Sequence, residues 1–176
     1  MWENSLPGLT LVIGGASSGK SSYAESLVVE TGKPRIYIAT AQAYDAEMTA
    51  KIEAHKTTRG PDWTTIEAPI DVAATLSNVP EKNVVLIDCL TLWLSNLLLS
   101  EVDLAAASAT LRSAIARCPA PVVAVSNETG MGIVPESALG RKFRAAQGLL
   151  NQQMAADADR VAYVVAGLPM WLKGSA

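Results

Sequence analysis

Residues 9–21 read Leu9-Thr10-Leu11-Val12-Ile13-Gly14-Gly15-Ala16-Ser17-Ser18-Gly19-Lys20-Ser21. A short apolar run thus breaks into G-x-x-x-x-G-K-[ST], the spacing of a phosphate-binding loop between a strand and a helix. Such a loop curls backbone N–H groups around a polyphosphate, and glycine permits the φ angles and the close approach that this needs. The helix beginning near Lys20 directs its positive N-terminal end at the same anion. Lys20 is expected to reach the β- and γ-phosphates, and the Ser21 hydroxyl to help hold Mg²⁺. A glycine-rich turn that merely fits a loose pattern is the plain alternative. The strand before it and the helix after it favour the phosphate loop and a nucleoside triphosphate as ligand.

Outward from this stretch, apolar runs alternate with helical patterns. Leu9–Ile13, Arg35–Ala39, Val84–Ile87, Val122–Val125 and Val161–Val165 read as strands. They are short and almost wholly apolar, as parallel strands covered on both faces are. Helices are expected over Lys20–Val29, Ala46–Lys56, Asp71–Ser77, Thr91–Leu99, Asp103–Arg117 and Glu136 to about Ala156. That alternation predicts a mainly parallel sheet with helices on both faces, an α/β class reached through right-handed crossovers. Thr57 to Pro69, with Gly60-Pro61 inside, is the most loop-like internal stretch. No repeat or linker divides residues 1–176, so one domain is expected.

Composition limits the partners. The net charge is 14 − 17 = −3, which leaves no basic surplus for a nucleic-acid backbone. Cys89 and Cys118 lack metal-ligand spacing and read as reduced thiols of a cytoplasmic protein. The N-terminus lacks the pattern of a signal peptide, and the most apolar stretch, Leu90 to Leu99, is too short to span a membrane.

In a sheet of this kind, ligands gather beyond the carboxyl ends of the strands. The phosphate loop follows the first strand, and Thr40-Ala41-Gln42 follow the second. Asp88 follows the third, where an acidic residue holds Mg²⁺ in many nucleotide hydrolases; it or Thr91 could equally cap the next helix. After the fourth strand comes Ser126-Asn127-Glu128-Thr129-Gly130-Met131-Gly132-Ile133-Val134-Pro135, too elaborate for a simple connector. Glu128 stands where a guanine-reading Asn-Lys-x-Asp motif would carry lysine, so that motif is absent. His55, the one histidine, shares a helical face with Met48 and Ile52, which suits packing. Lys56 and Arg59 beside it could instead clamp phosphate oxygens, and a neutral imidazole can attack phosphorus.

These residues carry a resemblance. The chain is similar to the bifunctional adenosylcobinamide kinase/adenosylcobinamide-phosphate guanylyltransferase family of cobalamin biosynthesis. The matching pieces are Gly14 to Ser21, Tyr37-Ile38-Ala39-Thr40 with Gln42, Glu47-Met48, and Lys51-Ile52-x-x-His55-Lys56-x-x-Arg59. They continue through Trp63-x-Thr65-x-Glu67, Asp88-Cys89-Leu90-Thr91, Asn127 to Pro135, Arg141-x-Phe143-Arg144, Gly148 and Asn151-Gln152. The resemblance implies a P-loop fold of RecA type, a homotrimer, and ATP, GTP and Mg²⁺ as cofactors. It implies phosphorylation of adenosylcobinamide, then transfer of GMP from GTP to the new phosphate with release of pyrophosphate. His55 maps onto the histidine that takes the guanylyl group. Thr40, Ala41, Gln42, Lys56, Thr57, Thr58, Arg59, Glu67 and Asp88 map onto nucleotide-contacting positions, with Ser21 and Asp88 on the metal. A small-molecule kinase without guanylyl transfer, or a nucleotide-dependent switch without turnover, are the alternatives.

Overall fold

Strand β1 (Leu9–Gly14) is buried along its whole length because strands pair with it on both edges and helices cover both faces. The structure is a computed structural model that describes residues 6–42 and 60–175. In chain order the further elements are α1 (Lys20–Glu30), β2 (Arg35–Ala39), β3 (Trp63–Glu67), α2 (Val72–Leu76) and β4 (Val84–Asp88). They continue with α3 (Leu90–Leu99), α4 (Leu104–Arg117), β5 (Val122–Asn127), α5 (Ala138–Asp157), β6 (Arg160–Val165) and β7 (Leu168–Lys173). The strands lie in the order β3-β2-β4-β5-β1-β6-β7. All neighbours run parallel except β6 and β7, which form an antiparallel hairpin.

Side-chain alternation along the strands splits the core into two layers. Leu9, Leu11 and Ile13 of β1 face α2, α3, α4 and α5 through Leu76, Leu94, Leu111 and Leu150. Val12 faces the other way, toward Ala24 and Val28 of α1, with Val84, Leu86, Val123 and Val125 on the same side. Two helix starts are fixed by side-chain caps: the Asp103 carboxylate accepts from the N–H groups of Ala105 and Ala106, and the Ser137 hydroxyl accepts from Gly140 N–H. Such caps satisfy donors that the first helical turn leaves without partners.

The five expected strands are all present, and the expected parallel sheet with helices on both faces is the fold found. Two strands were not foreseen. β3 lies within the stretch read as loop-like; its residues Trp63-Thr64-Thr65-Ile66-Glu67 are strand formers, half exposed at the sheet edge. β7 returns from β6 through Ala166 and Gly167, both at positive φ (53° and 78°), the backbone of a tight two-residue hairpin turn. The helix expected over Ala46–Lys56 lies outside the described residues. Among the described residues, no helix is long and apolar enough to cross a membrane.

Candidate functional site

The chain leaves β1 at Gly14, and sterics require glycine there: a Cβ would lie 2.7 Å from the Val164 carbonyl of β6. Gly15 has nothing within 4 Å of its Cβ position, so the floor of the curl opens outward. Ser17 (φ 58°) and Gly19 (φ 89°) then turn the backbone through the left-handed region. That conformation is costly for serine and is kept where surrounding contacts enforce it. Several contacts do so here. Ser18 N–H donates to Gly15 O at 3.3 Å, and Gly167 N–H of the β6–β7 turn donates to Ser18 O at 2.8 Å. A Cβ on Gly19 would come within 3.0 Å of Gly167 Cα. The hairpin turn therefore braces the loop from outside.

Lys20 opens α1 and is buried; its Nζ donates to Gly15 O at 3.0 Å, so the ammonium lies within the curl of the loop. α1 packs across β5 and reaches β4, which carries Asp88 at its carboxyl end, half-buried. Asp88 Oδ2 accepts from the Tyr37 hydroxyl at 3.0 Å. The neighbouring Cys89 thiol records this setting. Burial, and next the Asp88 carboxylate, push it above its ordinary range, while backbone hydrogen bonds at Leu92 and Thr91 and the Lys20 charge pull it down. The thiol is thus a neutral group within the fields of both Asp88 and Lys20.

The capping role left open for Asp88 and Thr91 is taken by neither. The N-cap of α3 is Cys89, which makes no side-chain cap bond, and the Thr91 hydroxyl instead accepts from Asn127 N–H at 2.8 Å. Thr40 is fully buried, and its hydroxyl is engaged with the Asp88–Cys89 turn: it donates to Cys89 O at 2.7 Å and accepts from Cys89 N–H at 2.8 Å. Asn96 of α3 donates to Thr40 O and Pro69 O, tying together the chain beyond β2 and β3. Ala41 and Gln42 follow, half-buried, while Glu67 ends β3 exposed. His55, Lys56, Thr57, Thr58 and Arg59 lie outside the described residues.

The loop after β5 is rooted in a buried polar network. Ser126 Oγ donates to Asn151 Oδ1 at 2.6 Å, Gln147 Nε2 donates to both, and Asn151 Nδ2 donates to Asn127 O at 3.0 Å. Glu128 N–H donates to Gly14 O at 3.0 Å, which fastens this loop to the phosphate loop. Beyond the root the loop is open, with Met131, Ile133 and Val134 exposed at 80%, 97% and 63%. Sequence reasoning quoted Asn151 without giving it a role, and passed over Gln147 and the Ala166-Gly167 turn. A glycine-bearing dipeptide between two apolar runs was the available signal for that turn.

Residues 10–172 match the family model described as "Cobinamide kinase / cobinamide phosphate guanyltransferase". The bifunctional adenosylcobalamin biosynthesis protein CobP of Pseudomonas aeruginosa is 46% identical over 167 residues, covering 93% of this chain and 96% of that one. Its counterpart CobU of Escherichia coli is 40% identical over 181 residues, covering 94% and 99%. Among solved structures, the flagellar accessory protein FlaH from Methanocaldococcus jannaschii aligns with a TM-score of 0.55 at 16% identity, covering 96% of this chain and 80% of that one. The KaiC-like protein PH0186 from Pyrococcus horikoshii aligns with 0.52 at 13%, covering 90% and 72%. At these identities the likeness concerns the fold alone, and that fold is the P-loop sheet expected from residues 9–21.

Proposed function

The chain belongs to the cobinamide kinase / cobinamide phosphate guanyltransferase family of adenosylcobalamin biosynthesis, and we propose that residues 1–176 run both reactions through two different poses of the nucleotide. In the first, the Gly14–Ser21 loop and Lys20 hold the β- and γ-phosphates, and the hydroxyl of the adenosylcobinamide arm attacks the γ-phosphorus of ATP or GTP. The hydroxyl loses its proton and the nucleoside diphosphate leaves. The Lys20 ammonium balances charge on the transferring group and so lowers the barrier. The observation that supports this best is the Lys20 ammonium inside a glycine-built curl, beside the end of β4.

The second reaction needs a different phosphorus. The imidazole of His55 attacks the α-phosphorus of GTP, pyrophosphate leaves, and a phosphoramidate to GMP forms. A phosphate oxygen of adenosylcobinamide phosphate then displaces the histidine, giving adenosylcobinamide-GDP. Lys56, Thr57, Thr58, Arg59, Thr40, Ala41, Gln42 and Glu67 serve the nucleotide in this scheme, Thr40 by shaping the backbone, given where its hydroxyl is engaged. For Mg²⁺, the Ser21 hydroxyl and the Asp88 carboxylate form a donor set of oxygens alone, which suits a hard cation completed by water and phosphate. Bound there, Mg²⁺ would supply charge neutralisation between the phosphates.

The reading includes a homotrimer in the cytoplasm, where nucleoside triphosphates are supplied. Exposed apolar residues on β7 (Leu168, Met170 and Leu172) support self-association, and the mass of the protein in solution checks it.

The decisive experiment uses α-labelled GTP. Wild-type protein should take up label in a bond that acid breaks and alkali spares, while His55→Ala should take up none, form no adenosylcobinamide-GDP and still phosphorylate adenosylcobinamide. Acid-labile label on His55→Ala would refute the assignment, because the chain has no second histidine.

A further inference from the structure

An open groove of about 460 Å³ runs between the loop after β5 and α5, lined by Gly130, Val134, Arg141, Arg144, Gly148 and Leu149 among others. We propose that this groove seats the corrin macrocycle of the substrate; the inference rests on the function assigned above.

The first reason is position. The reacting hydroxyl must lie at the phosphate loop, but a macrocycle cannot enter a curl of eight residues. The ring has to rest on a surface contiguous with that loop. Glu128 N–H bonded to Gly14 O makes the loop after β5 that surface.

The second reason is chemistry. A corrin presents a broad apolar body with a fringe of amide side chains. The groove offers the complement. Val134 on the loop and Leu149 (54% exposed) on the helix line it and are apolar and uncovered. Gln152 supplies an amide at one side. Arg144 Nη2 donates to Gly130 O, and its Nη1 is buried with no hydrogen-bond partner among the described residues. Arg141 Nη1 donates to Pro135 O and Glu136 O. The two arginines therefore clamp both ends of the exposed loop to α5 and hold the groove open.

The third reason is the floor. A Cβ at Gly148 would meet nothing within 4 Å, so the space above this helical glycine is empty. Glycine inside a helix is unfavourable relative to alanine by roughly 1 kcal/mol, and here its small size keeps the groove deep.

Gly148→Phe fills the groove without disturbing a packed neighbour and tests the proposal. Cobinamide, followed by its visible absorption in equilibrium dialysis, should bind Gly148→Phe at least about tenfold more weakly than wild type, while Gly148→Ala stays near wild type. The exposed Leu149→Asn should weaken binding severalfold, which guards against misfolding of the bulkier variant. In steady state, KM for cobinamide should rise while KM for GTP does not move. Equal cobinamide affinity in wild type, Gly148→Phe and Leu149→Asn would overturn the proposal, as would a parallel loss of GTP binding. The GTP-labelling half-reaction uses no corrinoid. If wild type fails to label, the guanylyl-histidine scheme falls, while dialysis still reads the groove.

Discussion

At the carboxyl ends of the strands, Lys20, Asp88, Arg141 and Arg144 lean on neutral partners. Lys20 donates to a backbone carbonyl, Asp88 accepts from the Tyr37 hydroxyl, and Arg141 and Arg144 donate to carbonyls of the loop after β5. At the amino ends two arginines face opposite charge. Arg112 forms a two-bond pair with Asp157, and Arg35 lies 3.7 Å from Asp62. A charge held by a neutral dipole keeps most of its field for a ligand, whereas a charge held by its opposite presents little. One sheet thus has an end built to meet charged substrates and an end built to close the chain on itself. Substitutions at the first end should cost activity, and at the second a little stability.

The largest effect expected is at Lys20. Lys20→Ala removes the charge proposed to meet the β/γ-phosphates and should lower the kinase rate by about 10²–10³-fold, the scale for losing one preorganised group on a developing charge. Its thermal midpoint should stay close to wild type, because the Nζ bond to Gly15 O is replaceable by water. A collapse of the midpoint with the rate would move Lys20 to the structural side and break the contrast. Steady-state phosphorylation of cobinamide together with a melting curve reads both.

How far the two ends could be read from the sequence follows from how local their signals are. The functional end is written in contiguous residues. Gly14 to Ser21 directly follows an apolar strand, and Asp88 ends another, so spacing alone marks the positions of loop and acid. The bracing is not contiguous. Gly167 reaches Ser18 across the sheet, and Gln147 and Asn151 reach Ser126 and Asn127 from a helix later in the chain. No spacing rule predicts such meetings. β3 is hard to read because Gly60-Pro61 just before it signal a turn and only Trp63 and Ile66 of its five residues are apolar, and β7 because Pro169 interrupts its pattern. The pairs Arg112–Asp157 and Arg35–Asp62 depend wholly on which elements become neighbours.

An intermediate effect is expected where the functional end is anchored. Asn151→Leu keeps the side-chain volume but removes the acceptor of the Ser126 hydroxyl and the donor to Asn127 O, leaving Ser126 only its bond from Gln147. Each buried polar group so stranded costs about 1–3 kcal/mol. At roughly 2–4 °C per kcal/mol for a domain of this size, the two together should lower the midpoint by roughly 4–24 °C. Because this network roots the loop after β5, KM for the corrinoid should rise as well while KM for GTP holds. An unchanged corrinoid KM would sharpen the contrast differently, confining the network to stability.

The smallest effect belongs to the opposite end. Arg112 Nε and Nη2 lie 2.5 Å and 2.9 Å from the Asp157 carboxylate oxygens. The hydrogen bond from Arg112 is the largest cause holding the Asp157 carboxyl below its ordinary range, with burial opposing it. A carboxyl depressed in the folded state stabilises the fold at pH above its unfolded value, near 4. That contribution is lost as pH falls through the folded value. The two side chains are 31% and 38% exposed, so water screens the pair and limits it to about 1 kcal/mol or less. Arg112→Met should therefore lower the midpoint at pH 7 by less than about 4 °C. The gap from wild type should narrow in molar salt and shrink below about pH 4 as Asp157 takes up its proton. Kinase and guanylyl-transfer rates should not move. A loss of either activity in this variant would mean that the amino end of the sheet does more than close the chain.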